Sequence, residues 1–519
     1  MTFGIQEPAD GFQPTSTDRI QTIDNNAEER VLVPQPSESP RDPLNWSRIK
    51  KELCFLTILL GSFATGSLGP LFVPGFAVLV THFDVPLTSI TLLNGSLVMA
   101  LGVSAYLCAC FAAVFGKRIV YLVTTTILVV TCCWAAASKS YTSLLVSRVF
   151  QGLGMGGFFA LAGTASLNDL FFVHERGFRV GLWNFGVIAS VNLTPVISGY
   201  VISNLSWRWS LWLEALFFGV VLAAVVCFFP ETSFNREHRE GTPVASVEPK
   251  SDKSSEFVVE TPSSSRGSWK AFVSDFIGWD PERPPNRSNL LTACVKPWAI
   301  ILHPVVIWEC VMWAVVFTWT ILIGSVASQI FTAPPFNMST VAVGNLTGIA
   351  PFIGSALGTA LGGWICDLSG KAMSRHNGGI YEPEFRLVAM PVAIVAMAAG
   401  TFGLGVAVEQ GVSAIACGVL LAIVNFAVGM GCTTIVVYTN DVCAERAGDA
   451  FGLSMIIKSA FAFGLSFVFN TYLATSGPVV FFSTFGAVTV GVMLTTVPMY
   501  VFGKKIRAWS EKHNLLRRA

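Results

Sequence analysis

The chain has 519 residues, of which 52% are hydrophobic and 13% are charged, about half the ~25% charge of a typical soluble protein. So few charged side chains could not cover the surface of a soluble fold. The 33 basic and 32 acidic residues balance, so no net field attracts nucleic acid. These numbers exclude a nucleic-acid-binding protein, a disordered scaffold and an ordinary cytosolic enzyme, and they indicate a protein of the lipid bilayer.

Apolar runs near the ~20 residues that a membrane-spanning helix needs recur twelve times along the chain. Residues 1–52 are polar, contain no signal-peptide core and predict a disordered cytosolic tail. Six spans are predicted in 53–229 and six in 299–501, with a polar cytosolic linker at 230–298 and a basic cytosolic tail at 502–519. The spans are expected near residues 53–80, 90–115, 119–137, 143–167, 180–202, 207–229, 300–328, 338–365, 387–408, 412–437, 450–473 and 478–501.

The basic residues predict the orientation of the spans, because cytosolic loops carry most Lys and Arg. With a cytosolic N-terminus, 29 of the 33 basic residues fall in cytosolic segments, whereas Lys139 and Arg208 fall in outer loops. The other two, Arg148 and Lys458, lie inside predicted spans. Both termini and the linker are therefore expected in the cytosol. The 12 Cys are scattered through apolar runs and predict neither a disulfide framework nor a metal site.

Two predicted cytosolic loops place basic residues after the end of a helix. The first follows span 2, and the second follows span 8, where Lys371 and Arg375 lie downstream of an acid. Basic residues beside an acid can form a gating latch, and glycines allow close helix approach. The loop after span 2 has no acid just before its basic residues, since Ala113 lies three positions before Gly116. Anchoring by positive charge explains this loop equally well. The residues assigned to these loops are Gly116, Lys117, Arg118, Gly363 and Asp367.

Predicted span 4 contains a buried charge followed by a ladder of glycines, Arg148-Val-Phe-Gln151-Gly152-Leu-Gly154-Met-Gly156. An Arg inside a span is costly unless it faces a wet cavity or a partner. The glycines let another helix pack against the same face. The alternative is an Arg that extends to the outer membrane surface. In span 5, Pro195 and Gly199 predict a kinked helix that shapes a cavity wall.

Six plus six spans around a cytosolic linker resemble the layout of the major facilitator superfamily. The loops after spans 2 and 8 resemble its loop motif, the segment from Arg148 resembles its Arg-x-x-Gln-Gly-x-Gly signature, and span 5 is similar to a degraded antiporter signature. Further local matches to fungal twelve-span drug:proton antiporters are Asp42-Pro-Leu-Asn-Trp46, Asn168-Asp169, Pro230-Glu231-Thr232 and Tyr381-Glu-Pro-Glu384-Phe-Arg386.

The resemblance implies an all-α integral membrane protein with twelve helices in two pseudo-symmetric six-helix halves. It implies a substrate cavity between the halves near mid-membrane. It also implies that the charge of Arg148 couples proton movement to substrate movement.

Polar residues inside spans are functional candidates in a membrane protein. Glu309, in span 7, is a candidate for binding a cation or carrying a proton, and Lys458, in span 11, for attracting an anionic substrate. His303 is expected to be structural. For each of the others, the alternative is a hydrogen bond to a neighbouring helix. The remaining candidates for the coupling site or the cavity are Gln151, Asn184, Asn192, Glu214, Asn345 and Asn425.

The leading functional hypothesis is proton-coupled efflux of a small organic molecule: a drug, toxin, secondary metabolite or organic acid. Proton-coupled uptake of a nutrient such as a polyamine or organic acid is the alternative. A membrane sensor or membrane enzyme is the hypothesis from another class, although the chain has neither a GxxxxGK[ST] loop nor an HExxH motif. We expect no cofactor, a proton gradient as energy source, a monomer, and the plasma membrane or else a vacuolar or other internal membrane.

Overall fold

The computed structural model describes residues 4–8, 14, 17–19, 42–233, 290–443 and 446–513. Nearly all of these residues are helical. The helices are α1 Arg48–Ser67, α2 Phe76–Phe83, α3 Leu87–Phe115, α4 Lys117–Ala137, α5 Tyr141–Leu161, α6 Leu167–Leu170, α7 Val173–Asn204, α8 Trp207–Phe228, α9 Leu290–Val295, α10 Pro304–Thr332, α11 Thr340–His376, α12 Met390–Glu409, α13 Ala414–Val442, α14 Ala447–Ser466, α15 Phe469–Met493 and α16 Thr496–Lys512.

Eleven helical stretches in the described part of the chain are long and apolar enough to cross a membrane. Helix α1 is not among them, because Arg48, Lys50, Lys51 and Glu52 occupy its first turns. Its remaining residues are uncharged and mostly apolar, and the 3₁₀ turn Val73–Gly75 and α2 continue the chain in the same predicted span. The predicted all-α membrane fold is confirmed, with a first span that is built in two pieces.

Two predicted spans are joined differently from the prediction. Helix α14 ends at Ser466, and α15 runs through the expected boundary between spans 11 and 12. The boundary survives as a kink at Gly477, whose φ is +77° and which precedes Pro478. Proline has no N–H to donate to the preceding turn, and the left-handed φ suits glycine. The two residues therefore break the helix without forming a loop.

The segments outside the spans are more ordered than the sequence predicts. Residues 42–52, expected in a disordered tail, form a 3₁₀ turn capped by Asp42 and the start of α1, capped by Ser47. In the predicted C-terminal tail, α16 continues to Lys512. Capping side chains satisfy backbone N–H groups that lack helical partners, so Asp42 and Ser47 stabilise the local structure of residues 42–52. Residues 234–289 of the predicted linker lie outside the described residues.

An ionic cluster joins the end of α16 to the segment before α12 and to the N-terminal tail. We define it as Arg507, Lys504, Glu382, Glu384 and Glu7. The Arg507 guanidinium donates to Glu384 Oε2 at 2.8 Å and to Glu382 Oε2 at 2.7 Å. The Lys504 ammonium lies 2.8 Å from Glu382 and 2.9 Å from Glu7. Because its central charges are buried, each of them depends on its partners.

Backbone hydrogen bonds hold the N-terminal tail at the same place. Gln6 N–H donates to the Val501 carbonyl at 2.9 Å. Further along, strand β1, Asp18–Arg19, pairs antiparallel with strand β2, Ile380–Tyr381. Described residues of both chain ends thus meet beside the loop that precedes α12.

The apolar cores of the two halves are largely separate, although Tyr106 and Cys110 of α3 pack into the core of the C-terminal half. The halves touch mainly through two helix pairs. In the first pair, α3 packs along α14, where Gly102 lies beside Ser459. Asn470, just beyond α14, donates to Thr91 Oγ1 on α3 at 2.9 Å. A side chain at position 102 would collide with Ser459, so glycine sets this close approach.

The second pair is α7 with α11, which meet closely at the predicted outer end. Gly344 on α11 lies against the Pro195 carbonyl of α7, where any side chain would collide. Further along, the rings of Phe185 and Phe352 are 5.8 Å apart. The halves therefore close on each other between these helices and leave a cavity behind the contact.

Removing the guanidinium from the ionic cluster is expected to destabilise the protein. Arg507→Met leaves Glu384 and Glu382 buried without their main partner, a change that typically costs about 3–5 kcal/mol. Lys505→Met is the matched control, because Lys505 lies on the same helix and contacts the side chain of Gln6 at an exposed position. The midpoint of thermal unfolding in detergent should fall clearly for Arg507→Met and little for Lys505→Met. Equal midpoints would contradict a stabilising role of the cluster.

Candidate functional site

A cavity of about 130 Å³ lies between the two halves. Both halves contribute to its walls, through α1, α3, α5 and α7 on one side and α10, α11, α13 and α14 on the other. Most lining side chains are apolar. The polar residues that line it are Asn94, Asn192, Thr320, Thr347, Asn425, Lys458 and Ser459.

Lys458, on α14, is the one ionisable side chain among the described residues that line the cavity. It is 6% exposed. Its ammonium lies 3.7 Å from the centre of the Phe317 ring and 4.9 Å from that of Trp313. Aromatic faces attract a cation, so the two rings stabilise the ammonium beside the cavity.

Three of the polar lining residues are partly satisfied by their own helices. The amide groups of Asn192 and Asn425 each donate to a backbone carbonyl one turn earlier, at 2.9 Å. The Thr347 hydroxyl does the same at 2.8 Å. An amide has two N–H donors and an oxygen acceptor, so Asn192 and Asn425 keep hydrogen-bonding capacity for a ligand.

Arg148 is fully buried behind the cavity wall and is held by three acceptors. Its guanidinium donates to Gln151 Oε1 at 2.9 Å, to the Leu68 carbonyl at 3.0 Å and to Asn94 Oδ1 at 2.9 Å. It also lies 4.8 Å from the ring centre of Phe72. The predicted alternative, in which Arg148 extends to the outer surface, is therefore wrong. Through Asn94, Arg148 is one side chain away from the cavity.

Glu214, on α8, lies next to this Arg148 site. Its Oε1 accepts a hydrogen bond from the Ser67 hydroxyl at 2.7 Å, whereas its Oε2 is buried and accepts none from the described residues. Glu214 and Arg148 are near enough for electrostatic attraction without a direct ion pair. A buried carboxyl with one free oxygen can take up and release a proton beside the guanidinium.

The glycines after Arg148 pack α5 against two neighbours. Gly152 and Gly156 face the backbone of α3, and Gly154 faces α4. In span 5, Pro195 lines the cavity and Gly199 packs against the Thr340 carbonyl of α11. These small residues let the helices that carry the polar groups approach one another.

Four other sequence candidates lie away from the lining of this cavity. Glu309 is 2% exposed, and its Oε2 accepts no hydrogen bond from the described residues. His303 is buried at the start of α10. Asn345 donates to the Tyr200 hydroxyl at 3.4 Å, and Asn184 is half-buried on α7. The structure therefore brings Arg148, Gln151 and Glu214 together near the cavity but leaves these four apart from it.

The basic residues of the loop after span 2 pair with acids from distant parts of the chain. Gly116, with φ +97°, is the single residue between α3 and α4. The Lys117 ammonium pairs with Asp169, and the backbone N–H groups of Lys117 and Arg118 donate to the Glu231 carboxylate at 3.1 and 3.0 Å. Where position 113 offers no acid, the basic residues thus pair with Asp169 of α6 and with Glu231 of the segment after α8.

The second loop has a different basic partner from the predicted ones. Asp367 pairs with Arg386, which also lies 3.1 Å from Asp441. Arg386 belongs to the segment before α12, rather than to the residues that follow Asp367 directly. Gly363 faces open space, where a side chain would meet nothing, so it makes no close helix contact here.

Sequence reasoning missed Asn94, Ser67 and Ser459. Asn94 connects Arg148 to the cavity, Ser67 holds Glu214, and Ser459 lines the cavity with an unpartnered buried hydroxyl. A lone amide in the apolar run of span 2 is a signal that could have found Asn94. The two serines have no such signal, because serine is common in packed membrane helices.

Comparison with known proteins agrees with this geometry. The family model described as Major Facilitator Superfamily matches residues 53–465. An uncharacterized MFS-type transporter of Schizosaccharomyces pombe is 23% identical, over 93% of this chain and 89% of its own. Protein HOL1 of Saccharomyces cerevisiae is 25% identical over 93% and 91% of the two chains, and MFS transporter fsa7 of a Fusarium species is 24% identical over 96% and 93%.

Among solved structures, a D-xylose-proton symporter has the same fold. Its TM-score is 0.59 at 15% sequence identity, and the match covers 87% of this chain and 97% of the symporter. Since the family model covers most of the chain and the fold agrees, this chain belongs to the major facilitator superfamily and is a multi-pass membrane transporter.

Proposed function

We propose that this transporter exports a small organic molecule in exchange for protons. The observation that carries the proposal is the Arg148 site: a buried guanidinium and a buried carboxyl, Glu214, lie near each other, and Asn94 joins the guanidinium to the cavity. Protons supply the energy, and the substrate occupies the cavity between the halves. We place the protein in the plasma membrane, as a monomer.

The proposed coupling depends on the charge of Glu214. When Glu214 is ionised, it attracts Arg148; when it takes up a proton, this attraction is lost and the guanidinium depends on its neutral acceptors, one of which is Asn94. A proton at Glu214 therefore changes the electrostatics at the cavity wall. Alternating access of the two halves would convert this difference into exchange of proton for substrate.

The direction of transport is supported by the names of partial relatives. A trichosetin biosynthesis cluster MFS transporter is 24% identical over 43% of this chain, and MFS antiporter QDR3 of Candida albicans is 29% identical over 39%. Uptake is the second candidate, because the structural neighbour is a proton symporter. Vesicles of known orientation distinguish the two: with the inside acidic, an exchanger moves substrate inward and a symporter moves it outward.

Glu214→Gln is expected to flatten the pH dependence of transport. Each pH unit across the membrane is worth 1.36 kcal/mol per proton, so a one-for-one exchanger accumulates a neutral substrate up to ~10-fold per unit. Gln keeps the shape of Glu214 and can still bond Ser67, but it carries no exchangeable proton. In proteoliposomes with an imposed pH gradient, accumulation should therefore fall to about onefold.

Glu309→Gln is the matched variant, because Glu309 is also a buried carboxyl but lies away from the cavity lining. Its accumulation ratio and pH profile should remain those of the unaltered protein. If Glu309→Gln abolishes accumulation and Glu214→Gln does not, Glu309 carries the proton and the assignment to Glu214 is wrong.

Arg148→Lys is expected to abolish pH-driven transport although it keeps a positive charge. The guanidinium donates at once to three acceptors, one just after α1, one on α3 and one on α5, an arrangement that an ammonium cannot reproduce. If Lys at position 148 keeps one of the three hydrogen bonds, the buried charge loses about 3–6 kcal/mol of stabilisation from the other two. Arg208→Lys, at the predicted outer surface, is the control and should transport normally. Normal pH-driven accumulation by Arg148→Lys would show that charge alone is sufficient.

A further inference from the structure

Lys458 brings a positive charge to a cavity whose described lining contains no negative charge. The ammonium makes no ion pair with a described carboxylate, and its contacts are the ring faces of Phe317 and Trp313. A ring face accepts the charge but leaves N–H donors of the ammonium without an oxygen acceptor. An unpaired charge this deeply buried is costly in a membrane protein, so a ligand that supplies the acceptor would stabilise it.

A further hydrogen-bond donor faces the same space. The Arg148 guanidinium can only donate, so the side-chain oxygen of Asn94 must face it and the Asn94 NH₂ group is left over. Asn94 lines the cavity from α3. Next to Lys458 on α14, Ser459 contributes to the lining, but its hydroxyl is buried against Gly102 of α3. A charge from one half and a neutral donor from the other thus line the same cavity.

The rest of the lining is suited to the carbon skeleton of a ligand. It comes mainly from apolar side chains of both halves, among them Leu97, Met155, Phe159 and Ile323. An engineered apolar cavity of similar size, about 150 Å³, binds benzene. A cationic ligand would find the ammonium and no carboxylate here, which is unfavourable in a low dielectric.

We propose that this cavity binds an organic anion, whose anionic group accepts hydrogen bonds from Lys458 and Asn94 while its apolar part contacts the surrounding side chains. The proposal rests on the proposed function and names the substrate class for it. An organic acid fits this chemistry, whereas a polyamine does not.

Equilibrium binding of three single-ring probes tests the proposal. 4-Fluorobenzoate is an anion, 4-fluorobenzamide is its neutral isostere, and 4-fluorobenzylamine is a cation at neutral pH. Their affinities are measured by fluorine NMR with the full-length protein in nanodiscs of neutral phosphatidylcholine, after subtraction of empty nanodiscs, so that no anionic lipid headgroup occupies the site. The anion should bind roughly 10- to 100-fold more tightly than the amide, the usual effect of a charge-assisted hydrogen bond, and the cation least of all.

Variants locate the preference within the cavity. Lys458→Gln should reduce the ratio of anion to amide affinity to about one, and Lys458→Arg should keep most of it. Asn94→Asp retains an acceptor for Arg148 but replaces the NH₂ donor by a negative charge, so it should also weaken anion binding. Lys139→Gln removes an exposed positive charge far from the cavity and should bind the probes like the unaltered protein. Thermal unfolding checks that each variant is folded.

The proposal is overturned if the unaltered protein does not prefer the anion, including the case in which none of the probes binds, or if Lys458→Gln keeps the preference. Because no gradient is applied, this result is independent of proton coupling. If the unaltered protein accumulates substrate in response to a pH gradient but does not prefer the anion, only the proposed substrate class is contradicted. If it prefers the anion but shows no pH-driven accumulation, only the proposed proton exchange is contradicted.

Discussion

The structure depends on how a guanidinium is accommodated inside the bilayer. Such a group persists only where acceptors replace its water, and Arg148 finds one just after α1 and one on each of α3 and α5. The acceptor on α1 exists because this helix ends at Ser67, which leaves the following carbonyl of Leu68 without a helical partner. The break in the first span therefore supplies an acceptor for the guanidinium of Arg148, and Arg148 supplies a donor for the Leu68 carbonyl that the break leaves without a partner.

The same break organises the neighbouring carboxyl. Ser67, the last residue of α1, donates to Glu214 on α8, while the next residue, Leu68, accepts from Arg148. Helices α1, α5 and α8 of the N-terminal half thus meet around two adjacent residues, Ser67 and Leu68. Asn94 extends this arrangement to the boundary between the halves, because α3 also packs against α14, which carries Lys458 and Ser459. The polar groups of the two halves consequently face one cavity.

Much of the fold follows from the sequence because apolar length and charge placement are local properties. Span positions, the charge of Arg148 inside a span and Pro195 inside another were all visible as patterns of neighbouring residues. Contacts between distant residues were not: Lys117 pairs with Asp169, and Asp367 with Arg386, through the packing of helices that meet only in the folded chain. A span's hydropathy does not tell which of its faces meets the cavity.

Glu309 and Asn94 illustrate this limit. Each is a strongly polar side chain in a largely apolar helix, yet only Asn94 lines the cavity. The direction in which each side of the helix faces decides the difference. The N-terminal tail illustrates another limit, since its composition predicts disorder. Its described residues are ordered by partners at the opposite end of the chain, such as Lys504 and Val501.

The one-residue connection at Gly116 has a mechanical consequence. Since α3 ends at Phe115 and α4 begins at Lys117, there is no slack by which one helix could shift along its axis while the other stays in place. A side chain at position 116 would also strain the left-handed backbone there. The end of α3 and the start of α4 therefore move together. When α3 tilts against α14 as the halves reorient, the start of α4 is displaced with it. This displacement strains the contacts of Lys117 and Arg118 with Glu231.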